Sequence, residues 1–445
     1  MYVELHSRSA FSFLEGASIP EELIAVCANL GMPAMALLDR DGVYGSPRFH
    51  LAAKKVGIKA HIGAEVTCTS FSPRCPPGEF RLPLLVASRA GYQNLCRLIT
   101  KMKLRVGRKE GACASDSDFI EHADGLICLT GGEEGPLAAA LRQGGPQAAF
   151  EAVKRLTEIF GHSTVGPGNV YVELQRHFHR EEEYRNRLAI EIAEALQLPL
   201  LATNGVNYAT PRERELADAF TALQHRRTLA TAGRLLAPNA ERYLKSPAAM
   251  RALFADVPQA IANTVELSSR LEFTLNDLGY EFPRYPVPEG ETMMSFLRER
   301  TREGMQSRYG RADAELKKRA RRQIERELNL IEKLKLAGYF LIVWDLVRFC
   351  REQKILAQGR GSAANSAVCY SLGITAVDPI GMELLFERFL SEERGEWPDI
   401  DLDLPSGDER ERVIQYVYQR YGQRGAAMTA NVITYRNRMA APRCP

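Results

Sequence analysis

Short apolar runs alternate with longer amphipathic runs from Val3 to about residue 275. The short runs predict strands, and the longer runs between them predict helices. The predicted strands are Val3–Leu5, Ala34–Leu38, Ile58–Val66, Leu82–Ala87, Gly125–Leu129, Val170–Leu174 and Leu198–Ala202. The predicted helices include Pro20–Leu30, Gly91–Leu104, Pro136–Phe160 and Glu182–Leu196. Repeated alternation of this kind is typical of an α/β fold with a parallel sheet or a β/α barrel.

Polar side chains follow several of these predicted strands. They are His6, Asp39, Glu65, His177 and Asn204. In a β/α barrel the carboxyl ends of the strands meet at one face, where functional sites are built. The pattern therefore predicts a candidate site at one end of an N-terminal barrel.

A proline-rich stretch divides the chain. The run FPRYPVPEG, residues 282–290, cannot continue a helix or a central strand, so it predicts an extended linker. The charged stretch Thr292–Leu336 after it predicts a pair of solvated surface helices, and the apolar run beyond Gly338 indicates a second core. We therefore expect domains at 1–281 and 292–432, a linker at 282–291, and the start of a further segment at 433–445.

Composition narrows the class of protein. Hydrophobic residues make up 45% and charged residues 25%, as in an ordinary soluble globular protein. The N-terminus MYVELHSRSAFSF is unlike a secretion signal, and no stretch approaches the roughly 18 apolar residues that a membrane helix requires. The nine cysteines are scattered without a C-x-x-C pair, which favours reduced thiols over disulfides or a zinc site. We expect a cytoplasmic protein that has no membrane partner.

The distribution of charge is more informative than its sum, a net +3. From Arg412 to Pro445 there is no aspartate or glutamate. The arginines in that stretch are Arg412, Arg420, Arg424, Arg436, Arg438 and Arg443. A basic stretch suits the phosphate backbone of a nucleic acid, and it is equally compatible with a solvated helix face.

A glycine-rich run, QGRGSAANS at residues 358–366, is the first motif with candidate chemistry. Its two glycines precede small residues that predict a helix from Ser362 to Leu372. Glycines allow the backbone to approach an anion, and free N–H groups at a helix start favour phosphate. Arg360 and Ser362 could add a guanidinium and a hydroxyl. The alternative is that the small residues serve only close packing.

The second motif is WPDIDLDL, residues 397–404. Its alternation predicts a strand with Asp399, Asp401 and Asp403 on one face and apolar residues on the other. Neighbouring carboxylates repel, so the pattern favours bound cations such as Mg²⁺, which takes oxygen ligands. Two such ions can stabilise the attacking and leaving oxygens of phosphoryl transfer. The alternative is an exposed edge strand with solvated aspartates.

These two motifs resemble the palm of bacterial C-family DNA polymerases, whose active site combines a GRGS loop with a P-D-x-D-x-D strand. The runs FERFL at 386–390 and PDIDLD at 398–403 match that family. The run LHSRSAFSFLEGAS at 5–18 resembles the opening of the family's PHP (polymerase and histidinol phosphatase) domain, and TANVITYRNRM at 429–439 resembles its error-prone, damage-tolerant branch. The resemblance implies a PHP-type distorted β/α barrel followed by a partial, nucleotidyltransferase-like palm of the α+β class.

The resemblance also implies roles for individual residues. Asp401 and Asp403 would be two of three catalytic aspartates that hold Mg²⁺, and Arg360, Gly361 and Ser362 would bind the triphosphate of the nucleotide. The implied substrates are DNA primer–template and deoxynucleoside triphosphates. The implied partners are a sliding clamp and mutagenesis accessory proteins, and the implied process is translesion or mutagenic repair synthesis.

The first departure from the family concerns the palm. The family's third catalytic aspartate lies far beyond the second, whereas no acidic residue follows Glu411 here. The expectation from the sequence is therefore a truncated polymerase, without the third aspartate and without the clamp-binding tail, that does not extend a primer by itself.

The second departure concerns the metal ligands of the PHP domain. The family's H-x-H is His6-Ser7-Arg8 here, and Glu15, Arg40 and the run Gly205-Val206-Asn207 replace further ligands. The residues of this degenerate site are His6, Arg8, Glu15, Arg40, Glu65, His177, Gly205 and Asn207. Arginine is a permanent cation and cannot bind a metal. We therefore expect salt bridges from the arginines to Glu15, Asp39 or Glu65 in place of the metal.

Three functions are compatible with the sequence. The leading one is an error-prone DNA-directed DNA polymerase. The second is a non-catalytic DNA-binding or scaffold protein. The third is a PHP phosphoesterase or exonuclease, against which the lost ligands argue.

Overall fold

The computed structural model describes residues 1–68, 79–106, 111–161, 168–278, 282–391, 398–422, 424–429 and 431. The chain divides into two compact units, Met1–Gly279 and Tyr280–Pro445. Trp397, the predicted segment 433–445 and the arginines beyond Arg424 lie outside the described residues. In the described part of the chain, none of the helices has the length and apolar character that spanning a membrane requires.

The first unit is built on one six-stranded sheet, in which the strands follow one another in chain order. Its strands are β1 (Ala34–Arg40), β2 (Lys59–Cys68), β3 (Phe80–Val86), β4 (Leu126–Leu129), β5 (Val170–Leu174) and β6 (Leu200–Ala202). The pairs β1–β2, β4–β5 and β5–β6 are parallel, whereas β3 is antiparallel to both of its neighbours. The prediction of an all-parallel sheet is therefore wrong at β3. Only residues 69–79 separate β2 from β3, too few for the crossover that a parallel connection needs.

The N-terminal segment curls this sheet into a distorted barrel. Glu4 forms a parallel bridge with Met35 of β1, and Ser7 forms one with Val206, just beyond β6. Backbone hydrogen bonds fix both sides: Ala36 N–H donates to the Glu4 carbonyl at 2.9 Å, and Val206 N–H donates to the His6 carbonyl at 2.9 Å. The predicted α/β fold with a distorted barrel in the first unit is confirmed, with a mixed sheet.

Helices surround the sheet, and several of them pack directly against its strands. They are α1 (Pro20–Asn29), α2 (Ser46–Val56), α3 (Arg89–Val106), α4 (Asp116–His122), α5 (Pro136–Phe160), α6 (Arg180–Leu196), α7 (Arg214–Gln224), α8 (Leu229–Ala232), α9 (Pro247–Leu253) and α10 (Pro258–Arg270). The helix predicted at Pro136–Phe160 is interrupted at Gly145, where φ is +73° before Pro146. Alternate residues of β1 belong to two apolar clusters, one with Leu37 and one with Leu38, so the sheet is buried on both faces.

The second unit is mainly helical. Its helices are α11 (Met293–Tyr309), α12 (Ala314–Lys333), α13 (Ala337–Glu352), α14 (Ala367–Ser371) and α15 (Asp408–Tyr421), and its strands are β7 (Gln358–Arg360) and β8 (Asp401–Asp403). The interpretation of Thr292–Leu336 as solvated helices is wrong for one face of each helix. Leu297 of α11 and Ile324 and Leu328 of α12 are buried in the core of this unit. Apolar residues four positions apart form a stripe even in a highly charged helix.

The proline-rich stretch 282–291 contains no helix or strand. Its Tyr285 is buried in the core of the second unit and donates a hydrogen bond to Asp345 of α13 at 3.2 Å. Asp345 is itself fully buried and also accepts hydrogen bonds from Tyr416 and Tyr421 of α15. One carboxylate thereby joins the proline-rich stretch, α13 and α15 within this unit.

Candidate functional site

The two motifs of the second unit form one antiparallel strand pair. Gln358 pairs with Asp403, Gly359 with Leu402, and Arg360 with Asp401. Because side chains alternate along a strand, Asp401 and Asp403 lie on one face, while Leu402 packs against the apolar core. The glycine-rich motif and the aspartate motif, separated in sequence, are therefore direct neighbours.

Arg360 contacts both aspartates across the pair. Its Nε lies 3.2 Å from Asp403 Oδ1 and 3.7 Å from Asp401 Oδ2. The side chains of Arg360, Asp401 and Asp403 are 62%, 54% and 60% exposed, so all three are accessible to a ligand. An exposed ion pair contributes little to stability, so this arrangement is not explained by the needs of folding.

Asp399 precedes β8 and is exposed. The next residue, Ile400, donates its N–H to the hydroxyl of Tyr339 at 2.9 Å. Burial raises the pKa of Tyr339 to about 12, and the negative charges of Asp399 and Asp401 add to this effect. The Tyr339 hydroxyl therefore stays protonated and fixes the entry into β8.

The predicted helix from Ser362 to Leu372 is wrong at its start. Residues Gly361–Asn365 form a 3₁₀ turn, and the α-helix begins only at Ala367. The first N–H groups of this helix are not free to bind a phosphate. The buried carboxyl group of Glu327 accepts hydrogen bonds from the N–H groups of Ala367 and Val368, both at 3.0 Å. An internal carboxyl group already occupies the position that the sequence suggested for an external phosphate.

Gly361 sits at the turn between β7 and the 3₁₀ turn with a φ of +70°. A side chain at this position would meet no atom within 4 Å, so backbone conformation rather than space requires glycine. Gly361 and Ser362 follow directly on Arg360, whose guanidinium is exposed beside the aspartates. Arg360 is therefore the residue of this motif whose contacts support an anion site.

Among the described residues, no group of three or more His, Cys, Asp or Glu side chains is arranged to hold a metal ion. Asp401 and Asp403 by themselves present two carboxylates on one face. Mg²⁺ commonly uses one or two protein carboxylates and completes its shell with water and substrate phosphate. The donor set therefore fits a hard divalent ion that binds together with a phosphate ligand.

The first unit contains the second predicted site, and its centre is His6. The ring Nδ1 lies 2.6 Å from Glu173 Oε1, and Nε2 lies 2.7 Å from Glu65 Oε1. Burial opposes a charge on this ring, but the Glu173 and Glu65 carboxylates outweigh burial and raise the pKa of His6 to about 10. His6 is therefore an imidazolium that donates from both nitrogens.

Arginines extend this network. Arg8 donates to Glu65, at 2.8 Å from Nη2 to Oε1, and also contacts Glu134. Arg40 and Arg81 both donate to Glu15, with Nη1–Oε1 and Nη1–Oε2 distances of 2.7 and 2.6 Å. Salt bridges of arginine with Glu15 and Glu65 are thus present as expected.

Within the described residues, the ion cluster contains four cations and five carboxylates. Its cations are His6, Arg8, Arg40 and Arg81, and its anions are Glu15, Glu65, Glu134, Glu173 and Asp41, whose Oδ2 lies 3.6 Å from Arg40 Nε. A metal-binding histidine must be neutral and offer a lone pair, which a doubly donating imidazolium lacks. Protonated and guanidinium nitrogens thus compensate the carboxylates that a metal ion would otherwise bridge.

The remaining predicted residues of the site lie outside the ion cluster. Asp39 is buried and accepts from the N–H and hydroxyl of Ser9 and from the hydroxyl of Ser12, so of the three acids expected as alternative partners the arginines use Glu15 and Glu65. Burial raises the pKa of Asp39, which further disfavours an ionic role. His177 contacts Glu182 at 2.6 Å and the carbonyl of Asn204 at 2.8 Å.

Gly205 and Asn207 occupy backbone positions beside the barrel closure. Gly205 has a φ of +53°, and a side chain there would clash with Gln175 at 2.7 Å. Asn207 donates its N–H to the carbonyl of Arg242 at 2.9 Å. Both residues therefore shape the loop that follows β6.

Sequence reasoning missed Arg81, Glu134 and Glu173. Glu173 carried a usable signal, because it is a charged residue inside the apolar strand β5. Arg81 gave no signal in the sequence, because it lies near the start of β3, whereas the predicted site residues follow the ends of strands. Only the antiparallel direction of β3 brings its start to the edge where parallel strands end.

Comparisons with known proteins give two domain matches. The PHP domain model matches residues 4–177, and the model of the bacterial DNA polymerase III alpha NTPase domain matches residues 295–443. A protein named error-prone DNA polymerase from Mycobacterium bovis is 44% identical over 443 residues, which cover 99% of this chain and 40% of that protein. Another of the same name from Nocardia farcinica is 41% identical over 486 residues, covering 99% and 42%.

The chain thus spans about two fifths of the length of these relatives. A solved structure of an amidohydrolase from Chromobacterium violaceum is 16% identical and covers 47% of this chain and 88% of that one, with a TM-score of 0.25. The domain matches and the relatives confirm the resemblance drawn from the sequence motifs.

Proposed function

Because the chain carries a PHP domain and a bacterial DNA polymerase III alpha domain, and is homologous over 99% of its length to error-prone DNA polymerases, we propose that it takes part in error-prone DNA-directed DNA synthesis. The proposed substrates are DNA primer–template and deoxynucleoside triphosphates. The proposed process is translesion or mutagenic repair synthesis in the cytoplasm, with a sliding clamp and mutagenesis accessory proteins as partners.

The pairing of β7 with β8 is the observation that carries the proposal. It sets Arg360 against Asp401 and Asp403, with one cation reaching two carboxylates at 3.7 and 3.2 Å. Nucleotidyl transfer needs this combination, because carboxylates hold divalent cations while a guanidinium fork binds phosphate oxygens.

Each residue of the pair has a distinct proposed task. Asp401 and Asp403 would hold Mg²⁺, and bound divalent ions stabilise charge on the attacking and leaving oxygens of phosphoryl transfer. Arg360 would donate to the triphosphate, where its exposed guanidinium can form two parallel hydrogen bonds. Leu402 and Ile400, packed against the core, would keep the carboxylate face in a fixed orientation.

Metal binding gives the first test. Mn²⁺ takes the same oxygen ligands as Mg²⁺ and can be counted by electron paramagnetic resonance. We expect the full chain to bind Mn²⁺ more tightly when a deoxynucleoside triphosphate is present. Asp401→Asn and Asp403→Asn should each weaken this binding by about tenfold or more, since each removes one of two carboxylates. Asp408→Asn, at an exposed aspartate that begins α15, is the matched control and should bind like wild type.

Arg360→Met distinguishes nucleotide binding from metal binding. It should weaken triphosphate binding while Mn²⁺ binding without nucleotide stays the same or strengthens, because a competing cation is removed from the aspartates. Any template-dependent primer extension that the polypeptide shows should be lost in Asp401→Asn and Asp403→Asn. Unchanged Mn²⁺ binding in both aspartate variants would contradict the proposed site.

A hydrolytic role for the first unit is not supported by its geometry. Both ring nitrogens of His6 donate to carboxylates, and Arg8 lies where a second histidine would stand. The polymerase proposal therefore rests on the second unit.

A further inference from the structure

The first unit contains a cavity of about 1510 Å³ that the ion cluster only partly explains. His6 and Arg8 line one part of it. Another part is lined by three arginines from separate segments: Arg142 of α5, Arg185 of α6, and Arg242, between α8 and α9. The proposed polymerase function assigns no task to this group, which we call the arginine triad.

One glutamate, Glu133, connects two members of the triad. The backbone carbonyl of Glu133 accepts from Arg142 Nη1 at 2.8 Å, and its carboxylate lies 3.3 Å from Arg242 Nη2. The Glu133 side chain is 64% exposed, whereas that of Arg242 is 23% exposed. A single exposed carboxylate is a weak partner for partly buried cations, because water and salt screen it.

Arg185 is the least satisfied member. Its side chain is 12% exposed, and its Nη2 is buried without a hydrogen-bond partner among the described residues. The carboxylate nearest to that atom belongs to Glu182, at 3.8 Å, and Glu182 already accepts from the ring and the N–H of His177. Burial and the like charges of Arg242 and Arg142 lower the pKa of Arg185, so the protein holds this cation at a cost.

The charges near the triad do not balance. The three guanidinium groups of the triad face the carboxylates of Glu133 and Glu182, and the lining of the whole cavity likewise contains more arginines than glutamates. We propose that the arginine triad binds a phosphate group that enters this cavity. A phosphate dianion supplies several acceptor oxygens at once, so it can reach three guanidinium groups from different segments. It would also satisfy the unpaired Nη2 of Arg185, whose desolvation is otherwise uncompensated.

The cavity is far larger than one phosphate ion. The cavity therefore has room for a phosphate that is either free or attached to a nucleic-acid strand, and both ligands would present the same phosphate oxygens to the triad. Binding needs no metal and no hydrolysis, which agrees with the imidazolium state of His6 in the same cavity. The inference is independent of the β7–β8 site, because every residue of the triad belongs to the first unit.

Inorganic phosphate is the probe for the test, with the full chain in a buffer free of phosphate and sulfate. Isothermal titration calorimetry should detect one site per chain, and phosphate should raise the unfolding temperature of the first unit. Arg185→Met and Arg242→Met should each weaken binding by about tenfold or more and abolish the rise. Arg251→Met, at an exposed arginine of α9 outside the described lining of the cavity, is the matched control and should behave like wild type.

Stability without phosphate distinguishes a binding residue from a structural one. Because Arg185 carries an uncompensated charge, Arg185→Met should unfold at the same temperature as wild type or higher when phosphate is absent. Wild-type affinity in both Arg185→Met and Arg242→Met overturns the inference. So does a wild-type chain whose unfolding temperature does not respond to phosphate.

Single-stranded oligonucleotides then identify the source of the phosphate. One carries a 5′-phosphate and the other a 5′-hydroxyl, with the same sequence. Competition with inorganic phosphate by the 5′-phosphorylated strand alone assigns the site to a strand end, and competition by both assigns it to the backbone. If neither competes while phosphate binds through Arg185, the ligand is free phosphate.

Discussion

At the scale of single residues, the surroundings of His6 and Glu327 shift the pKa values of both side chains away from their ordinary values. His6 is charged because Glu65 and Glu173 face its two nitrogens, although burial acts in the opposite direction. Burial raises the pKa of Glu327, whereas four hydrogen bonds from Val368, Gln323, Ala367 and Ser366 act in the opposite direction. Neither pKa follows from residue type alone.

The state of His6 leads to a pH prediction. Its folded-state pKa of about 10 lies above the ordinary value of 6.5, so its stabilising contribution is complete below about pH 6.5 and is lost as pH rises through about 10. We expect the stability difference between wild type and His6→Gln to shrink over that window. Urea unfolding, followed by NMR of the histidine rings, measures it, since all eight histidines belong to the first unit.

The same NMR spectra contain a direct check. Both ring nitrogens of His6 should carry protons at pH 8. A neutral His6 at pH 8 contradicts the imidazolium and would reopen the question of a metal in this unit.

At the scale of elements, a buried carboxylate positions the glycine-rich motif. Glu327 of α12 accepts from Ala367 and Val368 at the start of α14 and from the Ser366 hydroxyl at 2.7 Å. Helix α14 has only five residues, so it cannot be stable by itself. Its attachment to α12 therefore also holds the turn that leads back to Arg360.

Removing this carboxylate should loosen the second unit. Glu327→Ala leaves two buried N–H groups unsatisfied and opens a small cavity, so we expect a loss of about 3 kcal/mol or more. Glu325 lies on α12 like Glu327, but it is exposed and forms an ion pair with Arg298 of α11. Glu325→Ala should therefore lower the free energy of unfolding by less than about 1 kcal/mol. Tryptophan fluorescence during urea unfolding reports the second unit, because Trp344 and Trp397 both belong to it. Equal losses in the two variants would refute the attachment.

At the scale of the whole molecule, the two units use carboxylates in opposite ways. In the first unit, five acids contact four internal cations, and His6, Glu65 and Glu173 at the centre of this cluster are buried. In the second unit, Asp401 and Asp403 are exposed and share one exposed arginine. Ligand binding is therefore favoured at the second site, where carboxylates can exchange partners at little desolvation cost.

Paramagnetic Mn²⁺ tests this difference in the full chain. In an Asp401→Asn/Asp403→Asn background, which removes the second site, equimolar Mn²⁺ should leave the His6 ring signals sharp, because the cluster offers no free lone pair. Selective broadening of His6 would mean that the first unit binds a metal after all. Zn²⁺ content after dialysis provides an independent measure on the same sample.

Periodicity determined most of the elements of this protein. The bounds predicted for β5, Val170–Leu174, match those observed, and α1 ends one residue before the predicted Leu30. Local spacing also determined that Asp401 and Asp403 share a face, since alternation is a property of any strand. The replacement of metal ligands at Arg8 and Arg40 was visible too, because arginine is cationic in every environment.

Tertiary structure alone decided which charges meet. The direction of β3 brought Arg81 to Glu15, and the curl of the sheet brought His6 between Glu65 and Glu173. It also decided that Glu327, rather than an external phosphate, caps α14. These partners are far apart in sequence, and their electrostatic energies depend on distance and burial, which no local pattern of residues contains.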